Sequence, residues 1–184
     1  MRRELRLILV LIFLFFSICQ PVPAAIRAEI KFAYFSPKDE AFKDIYGAGP
    51  SLGAEIGIKI GHFLAFWASG EYFSKKGKMT FTKEETTLKI MPLAVGLSVA
   101  LNLGRFSPYA KLGIGFFRYE EINILGKVKK TDVGYLSQGG LVWHIAGPVY
   151  LDLFGHYSFC QVKPAEVKAD LGGLKAGAGL GFQF

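Results

Sequence analysis

The segment Asp170–Phe184, DLGGLKAGAGLGFQF, limits the possible folds more than any other part of the chain. Leu174, Ala176, Ala178, Leu180, Phe182 and Phe184 share one parity. Lys175, Gly177, Gly179, Gly181 and Gln183 share the other. A strand sends alternate side chains to opposite faces, so one face here is wholly apolar and the other is glycine with polar groups. A helix would mix the two sets, and the period of two therefore selects a strand.

The other end of the chain sets the solvent. MRRELR is basic apart from Glu4, Leu7–Ile18 is an apolar run, and Pro21, Pro23, Ala24 and Ala25 follow. This is the order of a secretory signal, with cleavage expected after Ala24 and Ala28 as the alternative. A membrane-spanning helix needs about 20 apolar residues, which Leu7–Ile18 does not reach. A lipoprotein signal would use Cys19, but Ile18 precedes it where a small residue is wanted. The expected domains are a cleaved signal, 1–24, and one folded unit, 25–184. After cleavage only Cys160 remains, so no internal disulfide is expected. The formal charge of +7 falls to +5 without Arg2, Arg3, Arg6 and Glu4. An exported basic chain meets acidic lipopolysaccharide and outer-membrane lipid, and no nucleic-acid partner is expected.

Alternation recurs along the chain. Eight strands are expected, near Arg27–Ser36, Ser51–Ile60, His62–Phe73, Thr86–Leu103, Pro108–Glu120, Asp132–Ile145, Val149–Gln161 and Asp170–Phe184. Pro37–Pro50, Ser74–Glu85 and Glu121–Thr131 read as long connections, and Val162–Ala169 as one of middling length. Gly61-His62, Gly104–Ser107 and Ala146–Pro148 read as short turns. Long and short connections alternate in up-and-down membrane barrels, the long ones facing outside. The expected fold is all-β: an eight-stranded antiparallel up-and-down transmembrane β-barrel. Its expected place is the bacterial outer membrane, with both termini periplasmic.

Parity assigns Lys31, Glu55, Lys59, Glu71, Tyr109, Lys111, Gln138, His144, Asp152, His156, Ser158 and Lys175 to the lumen. Buried charges persist when paired, so a salt-bridged plug is expected around Glu55, Glu71, Lys111, Asp152 and Lys175, with Lys59 and His156 in the same polar network. Lys75, Lys76 and Lys78, and Lys127, Lys129 and Lys130, fall in long connections and suit lipopolysaccharide phosphates. Tyr34, Phe35, Tyr72, Phe73, Phe106, Tyr109, Phe116, Tyr119, Phe182 and Phe184 lie near strand ends, where interfacial girdles form, although parity sends some of them inward. No His pair has metal-ligand spacing, and no cofactor is expected.

The pattern resembles the small eight-stranded outer-membrane β-barrel family that includes the OmpA transmembrane domain and OmpX. The resemblance rests on Phe35-Ser36-Pro37, Pro92 followed by Leu-Ala-Val-Gly, Ser-Pro-Tyr-Ala-Lys-Leu-Gly-Ile-Gly at 107–115, and Leu-Gly-Gly-Leu at 171–174. The end, with Lys175, Gly177, Leu180, Phe182 and Phe184, resembles the signal read by the barrel-assembly machinery. The resemblance implies the barrel fold and leaves the task open; a monomer is expected. A structural or surface-interaction role with a plugged lumen leads, and a narrow pore for ions or small solutes is the alternative. A third reading is a lipid A-modifying enzyme. His156 and Ser158, with Glu166, resemble the His-x-Ser of the outer-membrane lipid A deacylases. That family has Asn after the Ser, where this chain has Phe159, and its site faces lipid, where parity turns His156 and Ser158 inward.

Overall fold

The structure, a computed structural model, describes residues 25–78, 85–123, 126–162 and 169–184. The expected signal 1–24 and the candidate Glu166 lie outside the described residues. The strands are β1 (Ile26–Pro37), β2 (Gly49–Lys59), β3 (Leu64–Lys78), β4 (Glu85–Ala100), β5 (Phe106–Asn123), β6 (Gly126–Ala146), β7 (Val149–Phe159), β8 (Gln161–Val162), β9 (Ala169–Asp170) and β10 (Gly173–Gln183). One helix, α1 (Glu40–Tyr46), lies between β1 and β2. β1–β7 and β10 close an eight-stranded antiparallel barrel, and β8 pairs with β9 separately.

Closure runs from Arg27↔Gln183 to Pro37↔Gly173. It leaves no sheet edge, which lipid would not tolerate. The apolar parity faces outward: Ile56 is 52% exposed, Leu97 47% and Leu180 51%. Ile30, Phe32, Leu93, Leu112, Val133 and Leu153 continue that belt. A water-soluble surface does not carry so continuous an apolar band; lipid is its solvent.

Several expected boundaries shift. Glu121–Thr131 is not a loop. β5 and β6 pair as far as Asn123↔Gly126, so the segment is the tip of a long hairpin. Ile122, Val128 and the paired charges of Glu120 with Lys127 and Lys129 extend the alternation beyond the apolar belt. β3 starts at Leu64, not His62, and β4 stops at Ala100, not Leu103. β7 ends at Phe159, not Gln161, and β10 begins at Gly173, because Asp170 accepts the Cys160 and Gly172 N–H groups and turns the chain there. Of the aromatic residues near strand ends, Phe35, Phe73, Tyr109 and Tyr119 face inward and are buried.

The 37–50 connection holds α1, which the strand reading did not anticipate. Its signal was present: Asp39 caps the helix by accepting from the Phe42 N–H at 3.0 Å, and Phe42, Ile45 and Tyr46 fall on one face. Gly47, at φ 66°, ends it. The N-cap is pinned from the side by the Asp170 N–H, which donates to Asp39 Oδ2 at 3.2 Å. The other end packs on Gly77, where a Cβ would run into the Ile45 carbonyl. Tyr46 bonds through its hydroxyl to Thr86 at 3.1 Å and Glu121 at 3.0 Å.

Candidate functional site

The candidate site is the barrel interior, built in storeys. We call the end carrying the termini and the short connections the turn end, and the end carrying α1 the loop end. At the loop end an apolar layer fills the bore. Phe42 and Tyr46 of α1 pack with Phe35, Phe73, Leu88, Ile90, Phe117, Tyr119, Cys160 and Leu171. Phe35 meets Phe73 edge-on at 5.0 Å and Phe42 at 6.3 Å. Cys160 is fully buried here.

Beneath it lies the first polar layer. Lys175 donates to Glu71 Oε2, and His156 Nδ1 stands 3.7 Å from Glu71 Oε1. The next layer centres on Glu55, between two lysines: Lys31 Nζ reaches Oε2 at 2.6 Å and Lys111 reaches Oε1. Lys31 also donates to Gln138 Oε1 at 3.1 Å. Gln138 Nε2 donates to the Tyr109 hydroxyl, and Tyr109 donates to Asp152 Oδ2 at 2.6 Å. Glu29 receives the Tyr150 hydroxyl at 3.4 Å. Each lysine named here has a carboxylate, as burial of charge requires.

Glycines make this filling possible. In an eight-stranded barrel side chains nearly fill the interior. A Cβ at Gly113 would lie 2.6 Å from the Trp67 ring, and one at Gly181 would overlap Tyr150. Large residues on one strand are seated on glycines of another.

The expected lumen residues do not all join one network. Glu55 and Lys111 meet, as do Glu71, Lys175 and His156. Asp152 takes no lysine as direct partner; the Tyr109 hydroxyl reaches it first, because Lys111 is drawn to Glu55. Lys59 stands outside the network. It sits at the turn-end rim of β2, beyond reach of a carboxylate among the described residues. Interior residues not expected there include Arg27, Glu29, Trp67 and Tyr150. Parity with Lys31 would have placed Arg27 and Glu29 there.

His156 and Ser158 both face inward and are buried. Ser158 Oγ donates to the Gly173 carbonyl at 3.4 Å, while His156 turns to Glu71. Of the terminal residues, Lys175 is interior, and Leu180 and Phe182 face outward beside Phe184, which is 77% exposed.

The six candidate lysines divide. β3, β4, β5 and β6 run 15, 16, 18 and 21 residues, against 12 for β1 and 11 for β2, β7 and β10, so one side of the barrel rises as a wall at the loop end. Lys76, Lys127 and Lys129 lie on its outer face: Lys129 shares a cross-strand row with Lys89 through Glu120, Lys76 and Lys127 share the next row through Thr87 and Ile122, and Arg118 lies one row below Lys89. Lys78, paired across to Glu85, ends that face. Lys127 and Lys129 grip Glu120 at 2.5 and 3.1 Å, and the hydrogen bond from Lys127 holds the Glu120 carboxyl below its ordinary range. Lys75 has the inward parity, its amine over Gly49. Lys130, also of inward parity, is exposed near the tip.

This geometry is that of small eight-stranded outer-membrane barrels. Among the solved structures similar to this chain is OprG from Pseudomonas aeruginosa, at 12% identity over 88% of this chain and 96% of its own, with a TM-score of 0.68. Neisserial surface protein A matches at 15% identity over 88% and 97%, with a TM-score of 0.63. Ail, the attachment invasion locus protein of Yersinia pestis, solved with the heparin analogue sucrose octasulfate, matches at 15% over 89% and 100%, with a TM-score of 0.62. At these identities the likeness is one of fold. No protein-family model matches the sequence, and no curated protein matches it.

Proposed function

We propose that this chain is an integral outer-membrane β-barrel, monomeric and non-enzymatic, that acts through its surface while its lumen is plugged. The observation that carries the reading is the stacked interior: an apolar layer sealed by Phe42 and Tyr46, above the ion-paired layers of Glu71 and Glu55. An ion crossing that path would have to part buried pairs and displace α1. The non-enzymatic reading draws on Ser158 and His156, which are committed to different partners inside the barrel.

With the termini in the periplasm, the wall and α1 stand outside the cell. Its outer face sets Lys76, Lys89, Arg118, Lys127 and Lys129 above the apolar rim of Tyr72, Leu93, Phe116 and Val133. Phosphates of lipopolysaccharide lie at that level, and lysine meets them as a point charge. Leu180, Phe182 and Phe184 project together from the last strand, as a signal for the assembly machinery requires.

The test is single-channel recording in planar bilayers on protein showing a heat-modifiable gel shift. The expected result is no steady conductance in the native chain. Steady openings that survive repurification would overturn the plugged reading in favour of a narrow pore. Lipid A mass spectra that change with expression of the native chain, but not of Ser158→Ala, would overturn the non-enzymatic one.

A further inference from the structure

Below the Glu55 layer a cavity of about 60 Å³ opens at the turn end. His62 and Asn102, both exposed, stand at its rim. Its β1–β5 side carries the donors Arg27, Lys59 and Trp67. Arg27 on β1 and Trp67 on β3 both pair across Gly57 of β2, so they flank a position with no side chain. A Cβ at Gly57 would find nothing closer than 3.6 Å, so the glycine leaves a niche between them. Lys59 and Ala65 pair one step nearer the turn end, and Ala65 continues across the sheet to Ser98 and Lys111. Lys59 and Arg27 are thus diagonal neighbours on one inward face, where diagonal Cα atoms lie about 7–8 Å apart.

Two features of this niche call for an anion. Neither Arg27 nor Lys59 has a carboxylate within salt-bridge reach among the described residues; the Arg27 Nε–H donates to the neutral Gln183 Oε1 at 2.9 Å. The Trp67 indole N–H is buried and has no acceptor within the protein. Two carboxylates, Glu55 and Glu29, also line the cavity, and neither forms a salt bridge with Arg27 or Lys59. Glu55 is held between Lys31 and Lys111. Glu29 lies against β10, where a Cβ at Gly179 would run into its Oε1; its Oε2 takes the Tyr150 hydroxyl, and its Oε1 has no donor within the protein.

From this geometry we infer that the turn-end cavity binds a small oxyanion, a phosphate or a carboxylate, from the aqueous side at that end. Arg27 and Lys59 supply charge-assisted hydrogen bonds, and the Trp67 N–H supplies a neutral donor at the floor. Charge-assisted bonds are roughly twice as strong as neutral ones, so the two cations carry most of the affinity. The cavity is a blind pocket, because the Glu55 layer closes its floor; the inference therefore stands whether or not the loop end meets lipopolysaccharide.

Trp67 is also the reporter. Trp143 faces outward at 44% exposure, so Trp143→Phe leaves one interior indole to observe. The Trp143→Phe chain, refolded in detergent and verified by its gel shift, is titrated with inorganic phosphate and, separately, with acetate, at constant ionic strength set by chloride. The expected result is a saturable change in Trp67 emission with at least one of the two. Saturation by phosphate alone assigns a phosphate site, and by acetate alone a carboxylate site. Lys59→Gln, at a half-exposed strand end, should weaken that binding about tenfold while the gel shift is unchanged. Calorimetry with Trp67→Phe should show weaker binding that still saturates. Absence of a saturable response to either anion would overturn the inference, as would a Lys59→Gln chain that folds and binds like its parent.

Discussion

Glu55→Gln tests how the interior is held together. The side chain of Glu55 is 8% exposed, that of Lys31 4% and that of Lys111 9%, and both lysines point at the one carboxylate. At 2.6 Å from Lys31 the gross attraction is roughly 6 kcal/mol at an effective dielectric near 20. Most of that offsets desolvation already incurred on folding. The substitution removes the negative charge and leaves the two ammonium groups where they are. The amide oxygen still accepts from one of them, and Lys31 keeps Gln138 at 3.1 Å. The expected loss is therefore that of a broken buried pair, about 3–5 kcal/mol. The assay is urea unfolding from lipid vesicles, followed by the heat-modifiable gel shift. A second variant, Glu55→Gln with Lys111→Met, removes the charge left without a partner and fills its volume, so it should recover a substantial part of the loss. The reasoning fails if Glu55→Gln unfolds at the wild-type midpoint, since water would then be screening the layer. It also fails if the double variant is no better than the single one.

Four further outcomes are expected. Gly181→Ala should cost about 1–3 kcal/mol by overpacking the Tyr150 ring; Tyr150→Val in the same chain should return most of it in the urea assay. Spin labels at Ile56 and Gly57 should differ sharply, a lipid-soluble relaxer reaching the first and not the second; Ile56→Arg should cost about 2–4 kcal/mol near the bilayer midplane. Asp39→Ala removes a helix cap worth about 0.5–2 kcal/mol and the acceptor for the Asp170 N–H, so α1 amides should exchange faster by mass spectrometry while barrel amides keep their protection. The Glu120 carboxyl is held below its ordinary value by Lys127 and then Lys129; its contribution is present above the ordinary carboxylate range and lost as pH falls through the lowered one. Amide exchange at the β5–β6 tip, corrected for intrinsic rate, should therefore rise in acid, and Glu120→Gln should abolish the dependence.

The fold class was legible because a barrel in lipid has two solvents, and a strand meets them with alternate residues. Ser51–Ile60 and Gly173–Phe184 each sort apolar from polar or glycine without exception, and the structure gives each set one face. That argument needs no partner strand, so it works on sequence alone. It weakens where both faces meet water. Beyond the apolar belt the β5–β6 hairpin carries charge on its outer face, as at Glu120, Lys127 and Lys129, and alternation of charge with charge reads as loop. The helix α1 was missed because seven residues are too few for a periodic signal to stand against the expectation of a loop.

Which interior groups meet was decided only by closure. Lys175 finds Glu71 across 104 positions of sequence, and Lys111 finds Glu55 across 56. Parity states that such residues share the bore; it does not state their height in it. Height depends on the stagger accumulated strand by strand around the barrel, a property of the whole ladder that no single strand encodes. For that reason Asp152 bonds to Tyr109 rather than to a lysine, and Lys59 stands at the rim beside Arg27 instead of in the plug. The alternation of each strand chose the side of the wall, and the closed register chose the neighbours.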